Sequence, residues 1–205
     1  MAEYIPYILA CFGGYLLGSV PFGLVLTRAA GLGDVRKIGS GSIGATNVLR
    51  TGRKDLALAT VLLDSFKAGI AVLVFSMIFD RNVGLIAGAA AFVGHCYPVW
   101  LKFKGGKGVA TYTGLLAFAS WPGFLVGALV WLGLFALTRI SSLSALCAAV
   151  AVPVGAFFIG ETHFAVYVLI GLSTLVYWRH RANIQRLING TEPKFGKKSG
   201  PENEK

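Results

Sequence analysis

The sequence predicts an all-α polytopic integral membrane protein with about seven transmembrane helices, the N-terminus outside and the C-terminus cytoplasmic. Three observations carry that prediction. Of 205 residues, 55% are hydrophobic and 14% charged, with mean hydropathy +0.68; a soluble domain carries roughly a quarter charged residues. The apolar residues gather into runs of membrane-crossing length. The Lys and Arg residues fall almost entirely on one side of those runs, as the positive-inside rule requires.

The first run, 4–26, follows Glu3 and lacks the basic start of a signal peptide, so it reads as a retained span. Runs at 56–79 and 83–101 follow. The next, 111–120, is too short to cross about 30 Å of hydrocarbon at about 1.5 Å per residue. Trp121-Pro122-Gly123 comes after it, so 111–120 and 123–137 are expected as a hairpin of two short helices rather than one kinked span. Runs at 143–160 and 163–178 complete seven. Residues 1–190 then form a single membrane-embedded domain, and 191–205 a loose polar tail.

With the N-terminus outside, the inner segments are 27–55, 102–110, 138–142 and 179–205. They hold seventeen of the nineteen Lys and Arg. A six-span arrangement would put the basic 27–55 loop and the basic tail on opposite sides, so the charges favour seven. The 27 glycines suit close helix approach, with Gly14-xxx-Gly18, Gly84-xxx-Gly88 and Gly123-xxx-Gly127 as examples. Asp64 and Lys67 share a helix face; they read as an ion pair, or Asp64 helps hold the site beside it.

A net charge of +10 and a pI near 9.8 can indicate nucleic acid, but no soluble surface is large enough to bind it. Topology and an anion site explain the charge better. Cys11, Cys96 and Cys147 lie far apart in apolar stretches and read as buried thiols. No metal-ligand cluster is apparent, and no cofactor is expected.

Three cytoplasmic segments carry the polar information. The first, Gly39–Arg50 (GSGSIGATNVLR), contains a formal G-x-G-x-x-G. Membrane spans flank it where a dinucleotide fold needs a strand, which excludes that fold. The anion chemistry survives: Gly39 and Gly41 let backbone amides crowd a phosphate, Ser40, Ser42, Thr46 and Asn47 add neutral donors, and Arg50 adds a fork. The second is Lys102–Gly108 (KFKGGKG). It fails the P-loop pattern, since no Ser or Thr follows Lys107. Lys104, Gly105, Gly106 and Lys107 still suit a phosphate before a new helix at about Val109. The third is WRHRANIQRL from Trp178. On a helix His180 and Asn183 share a face that Arg179 and Arg186 approach. His95 and His163 read as structural. No H-x-x-x-x-D pattern or hydrolytic triad is present.

In order and spacing, GSGSIGATN, KGGKGVAT and HRANIQRL resemble the PlsY family of bacterial acyl-phosphate:glycerol-3-phosphate acyltransferases. The likeness runs over almost the whole chain, including GSVPFG at 18–23 and GHCYPVWLKFKGGKG at 94–108. Ser42-Ile43 departs from the family's Asn-Pro or Asn-Val. The resemblance implies a multi-pass enzyme of the bacterial inner membrane, with seven helices and a cytoplasmic active site. Its substrates would be acyl phosphate and glycerol 3-phosphate, with membrane lipid around it and an acyl-phosphate-forming enzyme coupled to it functionally. It would make lysophosphatidic acid and release phosphate, the first acylation of phospholipid synthesis.

By position, the resemblance assigns functional roles to Ser40, Arg50, Lys107, His180 and Asn183, and phosphate contacts to Thr46 and Asn47. Ser142 or Ser144 becomes a substrate contact, and Glu192 resembles a structural glutamate. On this reading Arg50, Lys107, His180 and Asn183 hold glycerol 3-phosphate, while Ser40 and the glycine-loop amides hold the acyl phosphate. The hydroxyl proton goes to the substrate's own phosphate or to His180. A transporter of organophosphates is the rival class, but it should show internal repeats and polar helices at the midplane. Neither is present.

Overall fold

The computed structural model describes residues 2–196, and every regular element among them is helical. The helices are α1 (Ile5–Gly18), α2 (Phe22–Ala29), α3 (Ala45–Val48), α4 (Lys54–Ile78) and α5 (Arg81–Cys96). They continue with α6 (Val109–Ala119), α7 (Trp121–Thr138), α8 (Ser141–Phe158), α9 (His163–Arg179) and α10 (Arg181–Ile188). Each of the seven apolar runs coincides with one or more helices. Five stretches are long and apolar enough to cross a membrane: Ile5–Ala29, Lys54–Ile78, Arg81–Leu101, Trp121–Thr138 and Ser141–Phe158.

The first run is not continuous. Pro21 has no N–H to give to the Leu17 carbonyl, so α1 stops at Gly18 and α2 restarts at Phe22. Ser19 Oγ turns back to the Tyr15 carbonyl at 2.7 Å. The carbonyl of Val20 faces inward at this break.

The hairpin reading holds in that 111–138 forms two helices, but α7 is not short. Ser120 caps it by accepting from Gly123 N at 3.2 Å, and Pro122 sits in the first turn, where its missing N–H costs nothing. Trp-Pro-Gly therefore starts a helix here.

Helix α5 is the hub, packed by α1 on one side and α4 and α6 on others. Gly14 and Gly18 let α1 lie against its backbone; a Cβ on either would collide with the carbonyl of Ala87 or Ala91. Ala68, Val72, Ala87, Ala91, Phe92 and Leu115 fill the shared core. A second small core of Leu24, Val35, Ile43, Val48 and Ala57 seats the 35–51 segment against α2 and α4. The outer surface is apolar, with Leu62, Phe66, Met77, Leu137 and Phe158 all exposed, as suits hydrocarbon solvent. Cys96 is buried as expected, but Cys11 lies exposed on α1 and Cys147 is half-buried; all three are free thiols.

At the end of the bundle far from the basic loops, Arg81 donates to Glu161 Oε2 at 2.6 Å and to the Ala119 carbonyl at 3.1 Å. Ser120 Oγ donates to Glu161 Oε1 at 2.6 Å. One carboxylate thus ties the start of α5, the α6–α7 junction and the α8–α9 turn.

Candidate active site

The first segment is organised by Asn47. Its amide nitrogen donates to the carbonyls of Val35, Ile38 and Ser42 at 2.8–3.1 Å, and its oxygen accepts from Ser40 N at 3.1 Å. Asn47 is fully buried and spends both amide hydrogens inside the loop. Its place is that of a scaffold, with Ser40 and Thr46 exposed around it. Gly39 and Gly41 adopt left-handed φ of 52° and 67°, and Arg50 lies across Gly39 where a Cβ would stand. Only glycine admits that contact and that backbone together.

The second segment leaves α5 through a tight turn in which Lys102 and Phe103 both take positive φ. Gly105 N then donates to the Cys96 carbonyl and Gly106 N to the His95 carbonyl, each at 3.1 Å. These amides close the end of α5, so they are not offered to an anion. A Cβ on Gly106 would strike the His95 ring, and one on Gly108 the Phe92 ring. The glycines here serve close packing. Lys104 is exposed.

Arg179 joins the second and third segments. Its Nε and Nη2 donate to the carbonyls of Gly106 and Gly105 at 3.0 and 2.9 Å, and its guanidinium stacks 5.1 Å from the Tyr97 ring centre. The sequence marked Arg179 only as a neighbour of His180.

Lys107, half-buried, has no hydrogen-bond partner among the described residues. Burial pushes its amine down to about 8; Glu192 pulls the other way, while Arg186, Arg50 and Arg179 add to the downward push. All three segments therefore act on one ammonium group. His180 is buried, and its Nδ1 donates to the Val176 carbonyl at 2.8 Å. That fixes the neutral ring with its lone pair on Nε2, an acceptor. Burial, and then Lys107, hold His180 down to about 4.

Glu192, expected at the edge of a loose tail, is instead the anchor of the third segment. One of its oxygens accepts from Ser142 Oγ and Asn183 Nδ2, both at 2.6 Å, and the other from Arg186 Nε at 2.7 Å. Burial would raise its carboxyl, but these bonds outweigh it and hold the group below its usual range. Phe195 N donates to the Arg139 carbonyl at 2.7 Å, and its ring meets Phe135 edge-on. Residues 191–195 are thus docked. Ser144, by contrast, bonds back to its own helix at Ile140.

The result is a cluster of Arg50, Lys107, Arg179, Arg186, His180 and Asn183 with one committed carboxylate. Such a concentration of cations and neutral donors has the chemistry to receive a multiply charged oxyanion. Among the described residues no three His, Cys, Asp or Glu side chains gather as metal ligands would.

A profile described as glycerol-3-phosphate acyltransferase matches residues 8–190. A glycerol-3-phosphate acyltransferase of Hyphomonas neptunium is 65% identical, over 98% of this chain and 100% of its own length. One of Maricaulis maris is 57% identical, over 97% and 91%. The fold is similar to crystal structures of PlsY, an integral membrane glycerol 3-phosphate acyltransferase. Its glycerol 3-phosphate form superposes with TM-score 0.88 at 38% identity, covering 93% of this chain and 96% of that one. Its lysophosphatidic acid form gives 0.86 at 36%, over 93% and 95%.

Proposed function

The chain belongs to the glycerol-3-phosphate acyltransferase family, and on that premise we propose that it moves a fatty acyl group from acyl phosphate to the sn-1 hydroxyl of glycerol 3-phosphate. The observation that carries this reading is the unpartnered Lys107 ringed by Arg50, Arg179 and Arg186. Lys107, Arg50 and Asn183 hold the acceptor's phosphate; the exposed Ser40 hydroxyl receives the donor's, because Ser40 N and Gly41 N, expected to face an anion, are spent on Asn47 Oδ1 and the Ile38 carbonyl.

The step is a displacement at the acyl carbon. The hydroxyl oxygen forms the new ester bond, the carbon–oxygen bond to phosphate breaks, and phosphate leaves with its charge held by the cluster. Positioning and charge stabilisation supply most of the acceleration. The hydroxyl proton goes to the acceptor's own phosphate. A phosphate monoester has a second pKa of about 6, well above that of His180 at about 4. His180, its ring held by the Val176 carbonyl, accepts from the acceptor's other hydroxyl at Nε2 and so aims the reacting one.

The charge distribution supports seven crossings with these loops cytoplasmic, and the family membership supports an inner bacterial membrane. The acyl chain lies between apolar helices open to the bilayer. A coupled enzyme that makes acyl phosphate supplies the donor. Ser142 serves through its bond to Glu192, and Asn47 through the shape of its loop.

The test supplies purified protein with palmitoyl phosphate and glycerol 3-phosphate and measures lysophosphatidic acid and released phosphate. Equal amounts of both are expected. No product, with palmitoyl-CoA active instead, overturns the donor assignment.

A further inference from the structure

Three polar side chains outside the site share a buried pocket among α1, α4 and α5. Asp64, Lys67 and His95 are 2%, 2% and 4% exposed. Lys67 Nζ has three hydrogens and meets three acceptors: Asp64 Oδ1 at 2.7 Å, the Val20 carbonyl at 2.9 Å and His95 Nδ1 at 3.0 Å. The Phe22 ring lies 5.7 Å from the same ammonium. This accounts for GSVPFG, since the Pro21 break turns the Val20 carbonyl toward Lys67.

Buried ion pairs can often be replaced by apolar side chains without loss of stability. In a membrane they are costly and mark function by default. A route from the pocket to the site runs through His95. His95 carries its proton on Nε2 when Nδ1 faces Lys67, and that edge of the ring lies beneath Gly106. The His95 carbonyl also accepts Gly106 N at 3.1 Å. Arg179 grips the same turn through the Gly105 and Gly106 carbonyls. Lys107 is the next residue.

We propose that Asp64, Lys67 and His95 are positioning residues that seat the Gly105–Gly106 turn and so fix Lys107 for the phosphate of glycerol 3-phosphate. The network sets the ring angle of His95, the ring sets the height of Gly106, and Arg179 closes the turn. The proposal rests on Lys107 holding the acceptor.

The test is a cycle between His95 and Gly106, read by steady-state kinetics in detergent with each substrate varied. Gly106→Ala places a methyl group in the ring, and His95→Ala removes the seat. Each is expected to raise KM for glycerol 3-phosphate about tenfold while KM for acyl phosphate stays within about twofold. In the double variant the new methyl enters the vacated space, so its KM for glycerol 3-phosphate falls below that of either single variant. Asp64→Asn is expected to share the acceptor-specific rise.

Penalties that simply multiply overturn the proposal, as does an equal effect on both substrates. Folding is read by monodisperse elution. If His95→Ala does not fold, His95→Asn, which retains an acceptor toward Lys67, takes its place in the cycle by the same criteria. A double variant that unfolds while both singles fold also overturns the proposal. If neither histidine variant folds, Asp64→Asn decides: an acceptor-specific KM rise supports the proposal and any other result overturns it. An inactive wild-type protein with acyl phosphate sinks the functional reading instead, so the two failures are distinguishable.

Discussion

Asn183 Nδ2 stands 2.6 Å from Glu192 Oε1, the oxygen that also takes the hydroxyl hydrogen of Ser142. Two side chains from different helices are therefore oriented by one carboxylate on the segment that follows α10. Glu192→Gln keeps the shape but removes the charge and turns a donor toward other donors. Activity should fall at least about tenfold, since losing a charged partner costs about 1.5–3 kcal/mol. Limited proteolysis should cut after Gly190 faster than in the wild type. Unchanged rates and cleavage would show that the carboxylate is dispensable.

Lys107 is charged below about pH 8 and loses its proton as pH rises through that value. Its grip on phosphate should therefore be full on the acid side and fade on the alkaline side. The prediction is a fall in kcat/KM for glycerol 3-phosphate with an apparent pKa near 8. Lys107→Arg should abolish that limb, because guanidinium stays charged. Lys107→Ala should lower kcat/KM by about two to three orders of magnitude. A limb that persists in Lys107→Arg assigns it to another group.

Gly39 and Gly33 offer a matched comparison. Both have positive φ, 52° and 75°, and an alanine at either costs about 1–2 kcal/mol of backbone strain. Only at Gly39 does the methyl group meet Arg50; around Gly33 nothing lies within 4 Å. Gly39→Ala should approach the activity loss of Arg50→Ala, and Gly33→Ala should keep near-normal turnover. Equal losses at the two glycines would reduce the Arg50 contact to incidental packing.

Asn47 predicts an order opposite to chemical similarity. Asn47→Asp brings a carboxylate against the three carbonyls of Val35, Ile38 and Ser42, whereas Asn47→Ala only leaves them unpaired. Each unpaired buried group costs about 1–3 kcal/mol, and an added repulsive charge costs more. Hydrogen exchange across residues 38–48 should be faster in Asn47→Asp than in Asn47→Ala. The reverse order would mean that the loop takes its shape from elsewhere.

The helices were legible because a membrane forces long apolar runs, and their order follows directly from the sequence. The α1–α2 break was not foreseen, although Pro21 stood in plain view, because the hydropathy on either side is continuous. Trp121-Pro122-Gly123 marked the break between α6 and α7 but not that it opens the second helix: proline is tolerated in a first turn, and Ser120 caps it. At the site, residue types indicated a phosphate, but not which groups remain free to meet it. The amides of Gly105 and Gly106 are consumed by α5, and Asn47 is consumed by its own loop. Glu192 was placed in a polar tail because its partners, Ser142 and Asn183, lie 50 and 9 residues away. Periodicity reads one helix at a time and cannot see such a junction.

From the junction at Ser120, α6 runs 11 residues and α7 runs 18. At about 1.5 Å per residue the first covers some 16 Å and the second some 27 Å. On the seven-crossing reading, the loop before α6 therefore stops about 10 Å below the level reached by the end of α7. On that reading Lys107 lies below the level of the membrane surface rather than at it. Under the proposed reaction, a water-borne acceptor would descend to it and a lipid-borne donor would slide in from the side at the depth of its own headgroup. Neither substrate has to change solvent for the reaction to take place. The product, which has both a phosphate and a chain, is already lying in the membrane as a lipid when it is made.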